Sequence, residues 1–264
     1  MAAMDEFRKE REAIKNGTFK EKFKYFWYYY KVHTIVAVVV IIFLSNWIYE
    51  LITATDPVLS VNFLNIYNMN DDYTAGMLLD EFIEDQKIDT KEYHIDSRTN
   101  LYYMTEAELA QSASQATGNK GSSNYNTMQL MMAQTGAEML DALIGSHAVL
   151  NELAYQEYFA DLSVALTPEE YALYEPYFLY MDRAVIEARH EAYDNNEPVT
   201  SIPIPLSNSA EDLEDPIPVF IDLSQCEKLK EVYGENTENL AIALIANAKN
   251  KEMAMKFVDF LMQK

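Results

Sequence analysis

Apolar side chains concentrate in one segment near the N-terminus. Residues 35–44 are all apolar, and no charged side chain occurs between Thr34 and Tyr49. Counted from residue 32 to residue 52, the segment is 21 residues long. An α-helix of that length extends about 31 Å, close to the ~30 Å hydrocarbon core of a bilayer. The pattern therefore predicts a single transmembrane helix over residues 32–52.

The residues that flank this segment predict its orientation. Loops rich in Lys and Arg stay in the cytoplasm, and Trp and Tyr collect at both membrane interfaces. Residues 27–30 are all aromatic, and no basic residue follows the segment until Lys87. We therefore expect residues 1–31 to form a cytoplasmic juxtamembrane helix and residues 53–264 an extracellular domain of a single-pass cell-membrane protein. The basic residues before the segment are Arg8, Lys9, Arg11, Lys15, Lys20, Lys22, Lys24 and Lys31.

Two alternatives explain the same apolar segment. A cleaved signal peptide has a short basic leader and an apolar core of about 7–15 residues, followed by a small-x-small cleavage site. Here the basic leader is much longer, and residues 53–55 make a poor cleavage site. A buried helix of a soluble protein would need neither charge on one side nor aromatic residues on both sides. The pattern favours an uncleaved anchor.

Beyond the anchor, β-branched runs alternate with segments of helical periodicity, which predicts an α/β fold with a sheet flanked by helices. The sequence Thr-Pro-Glu-Glu at 167–170 is typical of a helix start. The proline-rich residues 194–219 predict loops and edge strands, the latter within 199–206 and 216–223. Strands are predicted over 58–67, 91–96, 141–146 and 240–246, and helices over 77–88, 128–140, 180–193 and 250–262.

The net charge and the cysteine content limit which binding partners, disulfides and cofactors the sequence predicts. Residues 51–264 carry 36 Asp and Glu against 12 Lys and Arg, a net charge of −24, whereas residues 1–50 carry +2. Nucleic-acid binding needs a basic surface, so we expect no nucleic-acid partner. Cys226 is the single cysteine of the chain, which excludes an intrachain disulfide. No phosphate-binding or dinucleotide fingerprint occurs, so no cofactor is predicted.

Two segments, DALIG…YFADL within 141–162 and LAIALIANAKNKEMAMKFVDFL at 240–261, resemble extracellular solute-binding proteins of bacterial ABC importers. The resemblance implies a periplasmic-binding-protein-like sheet with ligand contacts at strand ends. Members of that family are much longer, which implies that a second lobe is reduced or absent here. Residues 20–33 also resemble the N-terminal region of uncharacterised membrane proteins of Firmicutes.

Polar residues at strand ends are the candidate ligand contacts, because ligands of open α/β sheets bind beyond the carboxyl ends of the strands. The alternative is local, since Asn, Asp and Ser also cap helices and form turns. The candidates are Asn68, Asn70, Asp71 and Asp72 after the first strand, Ser97, Arg98 and Asn100 after the second, and Ser146 and His147 after the third.

Two functions are compatible with this interpretation. The first is a membrane-tethered domain that binds a small solute or peptide and presents it to a membrane transporter or sensor. The second is a non-catalytic interaction module with a degenerate cleft, docking on a membrane or cell-wall complex. An enzyme is not predicted, because no nucleophile–base pair and no metal-ligand spacing can be identified.

Overall fold

The structure, a computed structural model, describes residues 17–53, 56–66, 73–113, 120–234 and 239–263. The chain divides into two compact units, residues 1–55 and residues 56–264. In the first unit, helix α1 (Phe19–Thr53) has 35 residues and is about 52 Å long. The predicted juxtamembrane and membrane segments are thus parts of one continuous helix from Phe19 onward, and the rest of the predicted N-terminal helix lies outside the described residues.

Within α1, Tyr30–Tyr49 is long and apolar enough to cross a membrane. The most apolar stretch of this segment has no buried residue; the side chain of Phe43, for example, is 71% exposed. Such exposure is unlike that of a helix in a soluble core. The helix has the properties of a transmembrane segment or a signal sequence.

The second unit contains a seven-stranded mixed sheet in the order β2-β1-β3-β7-β6-β4-β5. Strands β1, β2 and β3 are mutually parallel, and the remaining pairs are antiparallel. The strands are β1 Asp56–Leu64, β2 Tyr93–Leu101, β3 Ala142–Ser146, β4 Phe178–Asp182, β5 Leu206–Ser207, β6 Pro216–Asp222 and β7 Leu240–Leu244.

Helices cover both faces of this sheet, because the apolar side chains of its inner strands alternate between two hydrophobic clusters. In β3, Ile144 packs with α2 and α10, whereas Leu143 packs on the other face with α4 and α5. The helices are α2 Ala75–Gln86, α3 Glu106–Ala113, α4 Lys120–Gly136, α5 His147–Ala154, α6 Leu162–Ala165, α7 Pro168–Tyr174, α8 Arg183–Asp194, α9 Glu227–Tyr233 and α10 Lys251–Met262.

The α/β architecture is confirmed, and several local predictions hold. Helix α7 begins with a full capping box between Thr167 and Glu170. Helix α10 places Phe257 and Leu261 in the core, as its spacing predicts. Cys226 is buried, and its Sγ donates to the carbonyl of Leu261 at 3.1 Å.

Two predictions for the C-terminal half are wrong. Residues 178–182 form strand β4, and the helix predicted from Tyr180 begins only at Arg183. Asp182 marks this boundary, because its carboxylate caps the helix and also accepts the backbone N–H groups of Glu214 and Asp215. Strand β6 was expected at an edge of the sheet, but it lies between β7 and β4. The register shift in its pairing with β4 accommodates its prolines.

A buried carboxylate joins the strands to the closing helix. Asp141, 1% exposed, accepts the backbone N–H of Ser60 in β1 at 2.8 Å. It also accepts the backbone N–H of Asn250, the residue before α10, at 2.8 Å, and its side-chain amide at 3.1 Å. Asp141 therefore connects the two segments on which the family resemblance depends.

Replacing Asp141 by Ala should lower the free energy of unfolding by about 3 kcal/mol, because buried donors on Ser60 and Asn250 lose a charged acceptor. For a domain of this size the melting temperature should fall by roughly 6–12 °C. Circular dichroism of the full-length protein in detergent measures the shift. Asp80→Ala, at an exposed site on α2, should change it little, and equal effects of the two variants would contradict the role of Asp141.

Candidate functional site

The carboxyl ends of β1, β2 and β3 lie at the same end of the sheet, because these strands are parallel. Strand β7 begins at this end, where Leu240 pairs with Ser146, and β6 terminates there at Asp222. The candidates Asn68, Asn70, Asp71 and Asp72 lie outside the described residues.

The three candidates from the second strand lie inside it, and the prediction that they follow it is wrong. Strand β2 continues to Leu101, so Ser97 pairs with Val61 and Arg98 with Asn62 in mid-strand. The sequence signal failed because polar residues 96–100 lie on an exposed edge strand, which does not need apolar side chains. Only Asn100 is near the carboxyl end.

Asn100 lines a cleft of about 410 Å³ between the end of β2 and the start of α2. The opposite wall is formed by residues 73–76, the N-terminal turn of α2 and the two residues before it. Thr99 and Tyr102 complete the polar lining. Ligand pockets typically enclose about 300–1,000 Å³. The volume of this cleft falls in that range, and its lining is more polar than apolar.

The start of α2 presents backbone N–H groups to this cleft. The hydroxyl of Thr74 caps the helix by accepting the N–H of Met77 at 3.3 Å. The N–H groups of the first turn have no acceptors within a helix, and the helix dipole adds a partial positive charge there. This wall can therefore bind a carboxylate or another small polar group.

Gly76 keeps the wall open. A Cβ at this position would meet only the hydroxyl of Thr74, at 3.6 Å, which is an ordinary contact. Packing therefore does not require glycine, although glycine in a helix costs about 0.5–1 kcal/mol relative to alanine. The residue leaves room for a ligand to approach the helix backbone.

Tyr73 is a fixed wall of the cleft. Burial raises the pKa of its phenol well above the usual value, and a hydrogen bond to Glu81 adds to that shift. Glu81 is itself bound by Lys228 of α9 at 2.7 Å. The phenol is therefore neutral at physiological pH and is positioned by two successive polar contacts.

Ser146 and His147 lie at the same end of the sheet, beyond the central strand β3, but they do not line the cleft. Ser146 ends β3 and caps α5, accepting the N–H of Val149. His147 Nε2 is 3.2 Å from Asp222 Oδ1 and 3.3 Å from the carbonyl oxygen of Leu240. Both neighbours are acceptors, so Nε2 carries the hydrogen. Ser146 fits the capping alternative, and His147 connects β3 with β6 and β7.

Asp222 is the centre of this polar group. Burial alone would raise the pKa of its carboxyl, but hydrogen bonds from His147 and Ser224 outweigh burial and hold the pKa below the usual value. The Ser224 hydroxyl donates to Asp222 at 2.5 Å. Because this serine faces the carboxylate and not the imidazole, the group does not form a serine nucleophile activated by histidine.

The other candidate sites offer fewer free functional groups to a ligand or a metal ion. Among the described residues, no group of three or more His, Cys, Asp or Glu side chains is arranged to hold a metal ion. A second cleft of about 370 Å³ lies at the amino ends of β1 and β2. Its two lysines are paired with glutamates, Lys249 with Glu138 at 3.3 Å and Lys256 with Glu252 at 2.8 Å.

Sequence reasoning missed most of the cleft. Of the predicted residues that the structure describes, only Asn100 lines it, whereas Tyr73, Thr74 and Gly76 were not candidates. A threonine directly before the apolar periodicity of α2 was the available signal, since it marks a capped helix start. The contact between His147 and Asp222 gave no sequence signal, because 75 residues separate the two.

The low pKa of Asp222 predicts a pH dependence of stability. A carboxyl whose folded pKa lies below its unfolded value stabilises the fold above about pH 4, and that stabilisation is lost as the pH falls through the folded pKa. The free-energy difference between wild type and Asp222→Asn should therefore be largest near neutral pH and shrink in acid. Denaturant titrations at several pH values across this range measure that free-energy difference. Asp80→Asn should track wild type throughout, and a constant difference for Asp222→Asn would refute the assignment.

Comparison with known proteins assigns no family to this arrangement. No protein-family model matches the chain, and no curated protein or solved structure matches it. The resemblance seen in residues 141–162 and 240–261 therefore remains an interpretation of the sequence. What these segments do in the fold is nonetheless visible: through Asp141 and Asn250 they hold the sheet and the last helix together.

Proposed function

We propose that the protein is a single-pass membrane protein whose extracytoplasmic domain binds a small solute or peptide and presents it to a membrane transporter or sensor. The observation that carries this proposal is the cleft between Asn100 and the start of α2. It has the size of a ligand pocket and lies where the parallel strands β1 and β2 end, the usual position of ligands in such sheets.

The chemistry of the cleft favours a neutral or zwitterionic ligand. The backbone N–H groups at Ala75 and Gly76 suit one carboxylate, and the side chains of Thr99 and Asn100 add neutral hydrogen-bonding groups. The domain's net charge of −24 disfavours ligands with several negative charges. An amino acid or a short peptide, which carries one carboxylate and one ammonium, fits both conditions.

We interpret the domain as one lobe of the periplasmic-binding-protein type. Residues 56–264 form one compact unit around a single sheet, so a ligand would bind on an open cleft and not between two closing lobes. Binding on an open cleft leaves more ligand surface in water and predicts weak affinity. Weak binding suits a domain that passes its ligand to a membrane partner.

The second candidate is a non-catalytic interaction module that docks on a membrane or cell-wall complex. It is favoured by the local roles of the residues that suggested binding. Asp141 and Asn250 stabilise the fold, and Ser146 caps a helix. The two candidates differ in whether the cleft is occupied by a small ligand.

The anchor supports both candidates. The eight basic residues before the apolar segment favour an N-terminus in the cytoplasm, and the length of α1 favours an uncleaved helix. An acidic domain outside the cell is repelled by anionic lipid, so a covalent anchor keeps it at the surface.

The cleft can be tested with amino acids, dipeptides, sugars and inorganic phosphate in a thermal-shift screen of the full-length protein. A ligand present at 100 times its dissociation constant should stabilise the fold by about 2.7 kcal/mol. Gly76→Ala should raise the melting temperature of the free protein, because alanine favours the helix. It should reduce the ligand-induced shift, because Gly76 lines the cleft and the added methyl group takes up space beside it.

Gly136→Ala is the matched control. Gly136 ends α4, and a Cβ there has open space, so this variant should keep the full ligand-induced shift. If no compound in the screen shifts the melting temperature, or if Gly76→Ala and Gly136→Ala respond equally, ligand binding in the cleft is refuted and the interaction module is favoured.

The topology predicts that protease added to intact cells removes the chain after Ile52. An N-terminal epitope tag should survive on a membrane-bound fragment, because the basic leader is inside. Immunoblotting of both ends measures this, with a cytoplasmic protein as control for cell integrity. Survival of residues 53–264 would overturn the orientation, and loss of the tag from the mature protein before digestion would indicate a cleaved signal peptide.

A further inference from the structure

Strand β2 forms one outer edge of the sheet, with β1 as its only strand neighbour. It is nine residues long, whereas β5, at the opposite edge, has two residues. Long uncovered edges present unpaired backbone N–H and C=O groups and are templates for pairing with another strand. Within the part of the chain that the structure describes, no further strand covers this edge.

The sequence of β2 is complementary to itself in one antiparallel register. The midpoint of Tyr93–Leu101 is Ser97, so a two-fold axis at Ser97 overlaps the whole strand with a second copy. The same register places Asp96 opposite Arg98 of the second copy, and Arg98 opposite Asp96 of the second copy. Directly opposed residues share one face of an antiparallel pair, so both oppositely charged pairs can form.

The local geometry permits this pairing. Residues Ile95–Arg98 pair with β1 in regular register, and the register shifts occur only beyond them. Asp96 is half-buried and Arg98 is exposed, and no ion pair involves either within the described residues. The opposite charges of Asp96 and Arg98 within one strand cancel locally, whereas the domain as a whole is strongly acidic.

We propose that β2 is a homodimer interface, at which two copies pair antiparallel about Ser97 and join their sheets into one. The interface is isologous, as two-fold symmetry requires. The paired strand includes Thr99 and Asn100 of the cleft lining, whereas Asp96, Ser97 and Arg98, which define the register, are not part of that lining.

Cysteine cross-linking tests the register in the full-length protein in membranes. The native thiol of Cys226 is 7% exposed, so it contributes little background. Ser97→Cys places two thiols opposite each other at a Cα separation of about 4.5–5.5 Å, within reach of a disulfide. Oxidation with copper phenanthroline, which takes up the two electrons, should give a reducible dimer. Thr99→Cys is the matched control, because its two thiols would be about 13 Å apart along the strands.

Charge reversal tests the pairing chemistry in the Ser97→Cys background. Asp96→Arg and Arg98→Asp each replace both attractive pairs by like charges and should lower the cross-linked fraction, equivalent to about ten-fold weaker association. The double variant Asp96→Arg/Arg98→Asp restores opposite charges and should restore the dimer. Its recovery would also show that the single variants had not simply unfolded.

Three results would overturn the proposal: equal cross-linking of Ser97→Cys and Thr99→Cys, no cross-linking of Ser97→Cys in protein that melts like wild type, or a double variant no better than the single variants. The first result would indicate random collision. The second would leave the edge to a strand of a different protein.

Discussion

The hydrogen bonds of the Asp141 carboxylate are the constraint on which the domain depends. A carboxylate is costly to bury unless its oxygens are satisfied, and Asp141 meets that condition by accepting donors from β1 and from the start of α10. Three parts of the chain that are distant in sequence are thereby joined at the middle of β1, directly before the start of β3. This contact holds the start of the last helix against the sheet.

The cleft lies at the carboxyl ends of β1 and β2. There the start of α2 faces Asn100 across the cleft. The contacts of Asp141 and the cleft thus lie at different positions along β1. Asp141 and Asn250 have structural roles here.

Periodicity predicted the elements that have a single strong signal. The apolar part of α1 and the closing helix α10 could be predicted from their apolar spacing, and the start of α7 from its capping sequence. Strand β4 could not be predicted in this way, because its five buried residues continue directly into the apolar face of α8. Only the capping contact of Asp182 separates the strand from the helix. The cleft depends on long-range contacts, which no local pattern reveals.

The buried thiol of Cys226 has a practical consequence. A domain with one cysteine needs no oxidative enzyme to reach its native state, and it cannot be trapped by a wrong disulfide within one chain. Because the sulfur is enclosed and hydrogen-bonded to Leu261 at the end of α10, a thiol reagent reaches it when the packing around α9 and α10 opens. The rate of labelling therefore reports how often this part of the domain opens, which makes the unmodified protein its own sensor of local unfolding.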